Sequence, residues 1–280
     1  MRLVTYAAEE GPRAGILAEA GVVDAWQALG EPHRSSLREL LAGDRVGDLA
    51  DAAAGAAPLG GSPALLPPLP HPEKIVCIGL NYRSHAAEAG LDPPDSPTIF
   101  GKYCNALAAP GATVRLPAAS RKVDYEAEVA FVVGRRAASV QPDDALDHVA
   151  GLTLFNDLSA RDLQFATPQW MAGKVFDGSA PCGPAITTLD EVQTDAVDFS
   201  LTLNGEEMQA ARTDDLIFPI AELLALLSTL MTLEPGDIVA TGTPAGVGGA
   251  RQPRVWLGDG DEVVIESPQL GRLATRIAGP

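Results

Sequence analysis

The sequence contains few cysteines, and their placement excludes the structures that cysteine-rich chains form. The three cysteines among 280 residues are Cys77, Cys104 and Cys182, which are far apart and include no Cys-x-x-Cys pair. Neither a zinc site nor a disulfide framework is therefore indicated. Reduced thiols favour a cytoplasmic location. Glu9 and Glu10 stand where a secretory signal would have its apolar segment, so we expect no export signal.

Positive charge is also scarce. Lysine and arginine together number 20 against 37 aspartates and glutamates, which gives a formal net charge of −17 at pH 7. Nucleic acids and anionic membranes are bound through clustered basic residues, so we expect neither as a partner. A strongly acidic surface favours solubility and predicts nothing more specific.

The chain has no apolar run long enough to cross a bilayer. Its most apolar stretch, residues 218–233, contains Glu222 and is followed by Pro235 and Gly236. Within it, the large apolar residues recur at helical spacing: Ile220, Leu223, Leu224, Leu227, Leu230 and Met231. This pattern predicts a buried amphipathic helix.

The remaining pattern predicts a strand-rich α+β chain with two parts. A proline-rich stretch at 63–72 marks a boundary, so we divide the chain into a small N-terminal domain, 1–68, and a main domain, 69–280. Short apolar runs that read as strands outnumber helices, and they do not alternate with helices as in a doubly wound sheet. These runs lie at 74–79, 123–134, 152–155, 186–189, 199–203, 238–241 and 263–266.

Two glutamates in the run 123–134 are the first candidates for a functional site. Glu126 and Glu128 are two residues apart, and the period of a strand places both carboxylates on one face. With Asp157, which follows a later strand, they would form an all-oxygen site suited to Mg²⁺ or Mn²⁺. Taken alone, paired glutamates on a strand are more often a solvated edge.

A histidine and a glutamate form a second candidate pair. His85 and Glu88 are three residues apart in a predicted short helix at 80–90 that Gly90 caps. This spacing puts both side chains on the same helix face, where the carboxylate can orient the imidazole.

Several fragments in a fixed order resemble the fumarylacetoacetate hydrolase family over residues 72–275. Each fragment is weakly specific, but the set in this order is strongly so. The fragments are Ile78-Gly-Leu-Asn-Tyr82 with His85 and Glu88, Asp124-Tyr-Glu-Ala-Glu128, Asn156-Asp-Leu-Ser-Ala-Arg-Asp162 with Gln164, Gly173-Lys-Val-Phe-Asp177, and Pro235-Gly-Asp-Ile-Val-Ala-Thr-Gly-Thr-Pro244.

The resemblance implies a fold, an assembly and a set of site residues. The fold would be a mixed β-sandwich roll, commonly a homodimer, preceded by a small extra domain. The implied metal ligands are Glu126, Glu128 and Asp157, and the implied catalytic residues are His85, Glu88 and Lys174. The implied substrate contacts are Arg161, Gln164, Thr241 and Tyr82. Asn81 stands where the founding hydrolase has a further aspartate ligand, so we expect three protein carboxylates with water.

The implied activity is that of a metal-dependent hydrolase in the breakdown of aromatic compounds or sugar acids. It would cleave a C–C bond in an acylpyruvate or related 2,4-dioxo acid through a metal-bound enolate, with His85 activating water. The same machinery serves an oxaloacetate-type decarboxylase, or an isomerase or hydratase of unsaturated 2-oxo dioic acids, and the sequence does not separate these. A non-catalytic protein that binds oxo acids is the third alternative.

Overall fold

The computed structural model describes residues 1–280 and shows a chain built mainly from strands. Eighteen strands form three sheets: β1 (Arg2–Ala8), β2 (Gly11–Ala18), β3 (Gly21–Asp24), β4 (Leu65–Leu66), β5 (Ile75–Gly79), β6 (Thr98–Lys102), β7 (Leu107–Ala108), β8 (Thr113–Arg115), β9 (Val123–Asp124), β10 (Ala127–Val133), β11 (Val149–Asn156), β12 (Ser159–Ala160), β13 (Ala180–Thr188), β14 (Asp198–Leu203), β15 (Glu206–Arg212), β16 (Ile238–Ala240), β17 (Glu262–Ser267) and β18 (Gly271–Ala278). The strand-rich α+β prediction is confirmed.

The largest sheet carries the residues that matter for function. Its main path runs β3-β2-β1-β13-β11-β10-β16-β5-β6, and β4 and β7 pair at its side. It is mixed, because β16 and β5 are parallel whereas β10 and β11 are antiparallel. The N-terminal strands join this sheet through β1, where Leu3 is paired with Ile186.

A second sheet, in the order β15-β14-β17-β18-β8, packs on the first. Side chains from both sheets share one apolar core, including Val129 and Phe131 from β10 and Leu201 and Ile265 from β14 and β17. The turn between β14 and β15 has two residues with positive φ, Asn204 at 53° and Gly205 at 83°, as a tight hairpin turn requires. An Asn-Gly pair between two strands is the sequence pattern typical of such a turn.

Helices are short and few: α1 (Ala25–Ala28), α2 (Leu37–Ala42), α3 (Val46–Ala53), α4 (Arg83–Ala89), α5 (Arg161–Gln164) and α6 (Ile220–Leu230), with five 3-10 helices at Cys104–Ala106, Pro142–His148, Trp170–Gly173, Thr213–Asp215 and Gly248–Ala250. Helix α6 is the predicted amphipathic helix, and its buried face includes Leu223, Leu224 and Leu227. Helix α4 ends at Gly90 in the left-handed region, as predicted. No helix is long and apolar enough to span a membrane.

One predicted strand is wrong, and the break observed in its place determines the position of Glu126. The run 123–134 is not continuous, because Tyr125 and Glu126 separate β9 from β10. There the amide of Glu126 donates to the Asn156 side chain, and the Glu126 carbonyl accepts from the amide of Asp157. This break ties Glu126 to the end of β11 and brings it beside Asp157.

Candidate active site

The predicted site residues converge on one cavity of about 690 Å³. Seven of the ten line it: His85, Glu126, Glu128, Asp157, Arg161, Gln164 and Lys174. They come from α4, from the ends of β10 and β11, from α5 and from the 3-10 turn before Lys174. Residues that are distant in the sequence therefore share one concave surface.

The three acids lie together at the base of this cavity. One carboxylate oxygen from each of Glu126, Glu128 and Asp157 lies within 4.8 Å of the other two, and all three residues are buried. The pairing of β10 with β11 causes this, because Ala127 is opposite Asn156 and Asp157 follows directly. The triad could hold a divalent cation, since hard cations prefer carboxylate oxygens.

Two of the acids are compensated by buried cations. The Lys174 Nζ lies 2.6 Å from Glu126 Oε2 and 2.7 Å from Asp157 Oδ2, and Arg161 Nη1 lies 2.7 Å from Glu126 Oε1. Burial alone would raise the pKa of Glu126, but Arg161 and Lys174 outweigh it and hold this pKa well below its usual range. Both carboxylates raise the pKa of Lys174 despite its burial, so this amine is a cation at neutral pH.

Glu128 is not paired with a cation in this way, and this missing positive charge makes the triad suitable for a metal ion. Its carboxylate accepts a hydrogen bond from the Gly242 amide at 2.9 Å and forms no ion pair. Burial, together with the negative charges of Asp157 and Glu126, raises the pKa of Glu128 well above its usual range. A divalent cation would supply the missing charge, so the residues present suit a metal on their own chemistry.

His85 and Glu88 are in contact, and Glu88 is anchored to the loop that contains Gly246. His85 Nδ1 lies 3.0 Å from Glu88 Oε2, and the other oxygen of Glu88 accepts from the Gly246 amide at 2.8 Å. Because an ionised carboxylate only accepts hydrogen bonds, the contact between His85 and Glu88 fixes the tautomer in which Nδ1 carries the proton and Nε2 is free to accept one. Helix α4 is thus tied to this loop, and His85 lines the same cavity as the acid triad.

The loop that holds Glu88 depends on glycine at two positions. Gly246 has φ of 104°, and a Cβ there would lie 2.1 Å from the Met208 carbonyl oxygen. At Gly248 a Cβ would lie 2.7 Å from an oxygen of Asp124, whose carboxylate accepts from the amides of Gly248 and Gly249. Only glycine lets this loop pass so close to the Met208 carbonyl and the Asp124 carboxylate.

Three residues that sequence reasoning linked to the site have other positions. Tyr82 is fully buried and packs edge-on against Phe199, with ring centroids 6.1 Å apart, and the Thr241 hydroxyl donates to the Val129 carbonyl at 2.7 Å. Neither lines the cavity, whereas Thr243, two residues further along, does. Asn81 donates to the carbonyls of Phe218 and Thr241, so its amide ties loops together.

Sequence reasoning missed two charged residues of this site. Lys102, at the end of β6, is fully buried and its Nζ lies 2.5 Å from Asp157 Oδ1. Asp124, in β9, lies 2.8 Å from Arg161 Nη2. The available signal was a lone lysine in a strand that otherwise reads as apolar, and an aspartate inside the motif that supplies both glutamates.

We expect Lys102→Met to destabilise the metal-free protein by about 3 kcal/mol, at the low end of the cost of breaking a buried ion pair because Asp157 keeps Lys174. Saturating Mg²⁺ should recover part of the loss. The measurement is urea unfolding with and without metal. Arg272→Met is the matched control, since it breaks an exposed pair with Glu266 and should cost under about 1 kcal/mol. Equal losses in both variants would contradict the role of Lys102.

Comparison with known proteins gives a consistent result. The sequence model described as "Fumarylacetoacetate (FAA) hydrolase C-terminal" matches residues 74–278. The mitochondrial oxaloacetate tautomerase FAHD2A of Bos taurus is 41% identical over 215 residues, which cover 76% of this chain and 68% of that protein.

Two solved structures show the range of activities among similar proteins. The manganese and pyruvate complex of maleylpyruvate hydrolase from Sphingobium sp. SYK-6 has 31% identity and a TM-score of 0.82, and the match covers 100% of this chain and 99% of that one. The 2-hydroxyhepta-2,4-diene-1,7-dioate isomerase of Mycobacterium marinum has 30% identity and a TM-score of 0.77, covering 100% and 98%.

Proposed function

This chain belongs to the fumarylacetoacetate hydrolase family, and from that premise we propose that it is a divalent-metal-dependent enzyme that interconverts the keto and enol forms of a small 2-oxo acid. The observation that carries the proposal is an oriented histidine, His85, in the same cavity as three buried carboxylates. The 41% identity to an oxaloacetate tautomerase favours this reaction over hydrolysis.

Binding would place the 2-oxo acid between the triad and α4. A divalent cation held by Glu126, Glu128 and Asp157 would act as a Lewis acid towards the carboxylate and 2-oxo oxygens. Lys174 adds positive charge beside the triad, where negative charge develops on the 2-oxo oxygen as the enolate forms.

The chain's own residues would then move one proton. His85 Nε2 takes a proton from the carbon next to the 2-oxo group and returns it to the 2-oxo oxygen, so keto and enol differ only by its position. Glu88 stabilises the imidazolium that forms in between, and the Gly246 amide keeps Glu88 in place. No other bond has to break.

Hydrolysis of an acylpyruvate is the second candidate, and the dyad favours it as well. The same His85 could remove a proton from water, and attack of that water at the 4-carbonyl would release a carboxylic acid and a 2-oxo acid. The similarity to a maleylpyruvate hydrolase supports this alternative. The two reactions differ in whether a water molecule is held beside the 4-carbonyl.

The test compares substrates on one protein preparation. We expect protein stripped with chelator and reloaded with Mg²⁺ or Mn²⁺ to accelerate the loss of enol absorbance from enol-oxaloacetate, and the stripped protein to be inactive. Release of acetate and pyruvate from acetylpyruvate, without tautomerase activity, would move the assignment to the hydrolase. Inactivity towards both acids with either metal would overturn the proposal.

A further inference from the structure

Two cations that line the active-site cavity have no partner. Lys122 and Arg254 both line it, and neither side chain forms an ion pair or a hydrogen bond, whereas Lys174 and Arg161 are paired with the acids. The chain has 37 acidic and 20 basic residues, so carboxylates outnumber the basic side chains that could pair with them. Two free cations in the cavity are therefore available to an anionic ligand.

Both cations are attached to backbone that is fixed beside the site. The carbonyl of Lys122 accepts from the amide of Arg161, and the residue after Arg254, Val255, donates to the carbonyl of Gly248. The amide of Leu257 donates to the carbonyl of Val123, so the two segments run side by side. Both cations therefore line the cavity from adjacent segments of backbone.

The cavity is also larger than a four-carbon acid needs. Its volume of about 690 Å³ lies within the range of roughly 300–1,000 Å³ that holds drug-sized ligands. Phe100, Trp170 and Phe165 form an aromatic wall in it, with ring centroids 5.7 and 6.5 Å apart along the series. Such a wall suits a carbon chain between two polar ends.

We propose that Lys122 and Arg254 form a subsite for the second carboxylate of a 2-oxo dicarboxylic acid longer than oxaloacetate. The 2-oxo end occupies the acid triad with its cation, the carbon chain lies along the aromatic wall, and the distal carboxylate meets the two cations. This inference rests on the proposed function, since it takes the 2-oxo end to bind at the triad. Oxaloacetate then serves as a minimal substrate.

A matched pair of ligands tests the subsite without relying on turnover. 2-Oxoadipate and 2-oxohexanoate have the same length and the same 2-oxo end, and they differ in a carboxylate against a methyl group. We expect calorimetry on Mg²⁺-loaded protein at 0.15 M salt to show 2-oxoadipate binding roughly tenfold more tightly, a modest factor because both cations are exposed. Arg254→Met and Lys122→Met should each reduce this preference, and the double variant should abolish it.

Arg121→Met is the control, because Arg121 is the neighbour of Lys122, carries the same charge, is exposed and does not line the cavity. It should leave the preference unchanged. The subsite would be overturned if the wild type bound the two acids equally well, or if Arg121→Met reduced the preference for 2-oxoadipate as much as Lys122→Met or Arg254→Met does. In either case, binding of 2-oxohexanoate would still support the proposed function. Binding of neither acid by the loaded wild type would overturn both.

Discussion

Glu128→Gln should weaken the binding of Mg²⁺ or Mn²⁺ by on the order of a hundredfold or more, and should leave the fold intact. Affinity for hard cations depends on the number of charged ligands, and this change removes one charge of three. Burial and the charges of Asp157 and Glu126 raise the pKa of Glu128, so in the metal-free protein its carboxyl keeps its proton to higher pH than an ordinary glutamate does. An amide of the same shape therefore costs little in the metal-free protein.

Two readouts separate this expectation from simple misfolding. The thermal midpoint of metal-free Glu128→Gln should equal or exceed that of the wild type, while the increase that Mg²⁺ gives the wild type should disappear. Glu207→Gln on the exposed part of β15 is the matched control and should keep that increase. Unchanged metal affinity in Glu128→Gln would remove the metal site from the proposed function.

The raised pKa of Glu128 also gives metal binding a pH dependence. A carboxyl with a raised pKa keeps its proton to higher pH and must lose it to become a metal ligand. We therefore expect the apparent affinity for Mg²⁺ to increase with pH up to the raised pKa, and the heat of binding to vary with the ionisation enthalpy of the buffer. Buffer-independent heats, with an affinity that does not change with pH, would contradict a protonated Glu128.

The sequence predicts the parts of this molecule that local patterns control. The apolar residues of helix α6 recur at helical spacing, and the pair Asn204-Gly205 indicates the hairpin turn between β14 and β15. The pair Glu126 and Glu128 was accessible for a related reason, since these two residues are close in sequence, whereas Asp157 follows a later strand. In each case the deciding contacts are made between near neighbours in the chain.

Contacts between distant segments account for what the sequence did not predict. The break after β9 arises because Glu126 bonds to the end of β11, 30 residues away, so strand periodicity alone gave the right pair of acids on a wrong continuous strand. The burial of Lys102 against Asp157 spans 55 residues. The link from Glu88 to Gly246 spans 158. No local spacing encodes such pairings.

His85→Ala should lower turnover by about a hundredfold to ten-thousandfold, the usual contribution of a general base, and should leave metal binding unchanged. His85 lines the cavity, but its ring contacts Glu88 and none of the three carboxylates of the triad by ion pair or hydrogen bond. The substitution should therefore lower kcat. The measurement is turnover of enol-oxaloacetate by the Mn²⁺-loaded variant, with calorimetry of Mn²⁺ on the same sample.

Glu88→Gln distinguishes a base from a residue that merely shapes the cavity. The amide can still accept from Gly246, so α4 should keep its position, but it removes the charge that stabilises the imidazolium of His85. Without that charge the imidazolium formed during proton transfer is less stable, so kcat should fall while the affinity for the metal stays unchanged. A purely structural role would change the metal affinity together with kcat. Wild-type turnover in His85→Ala would exclude His85 as the base.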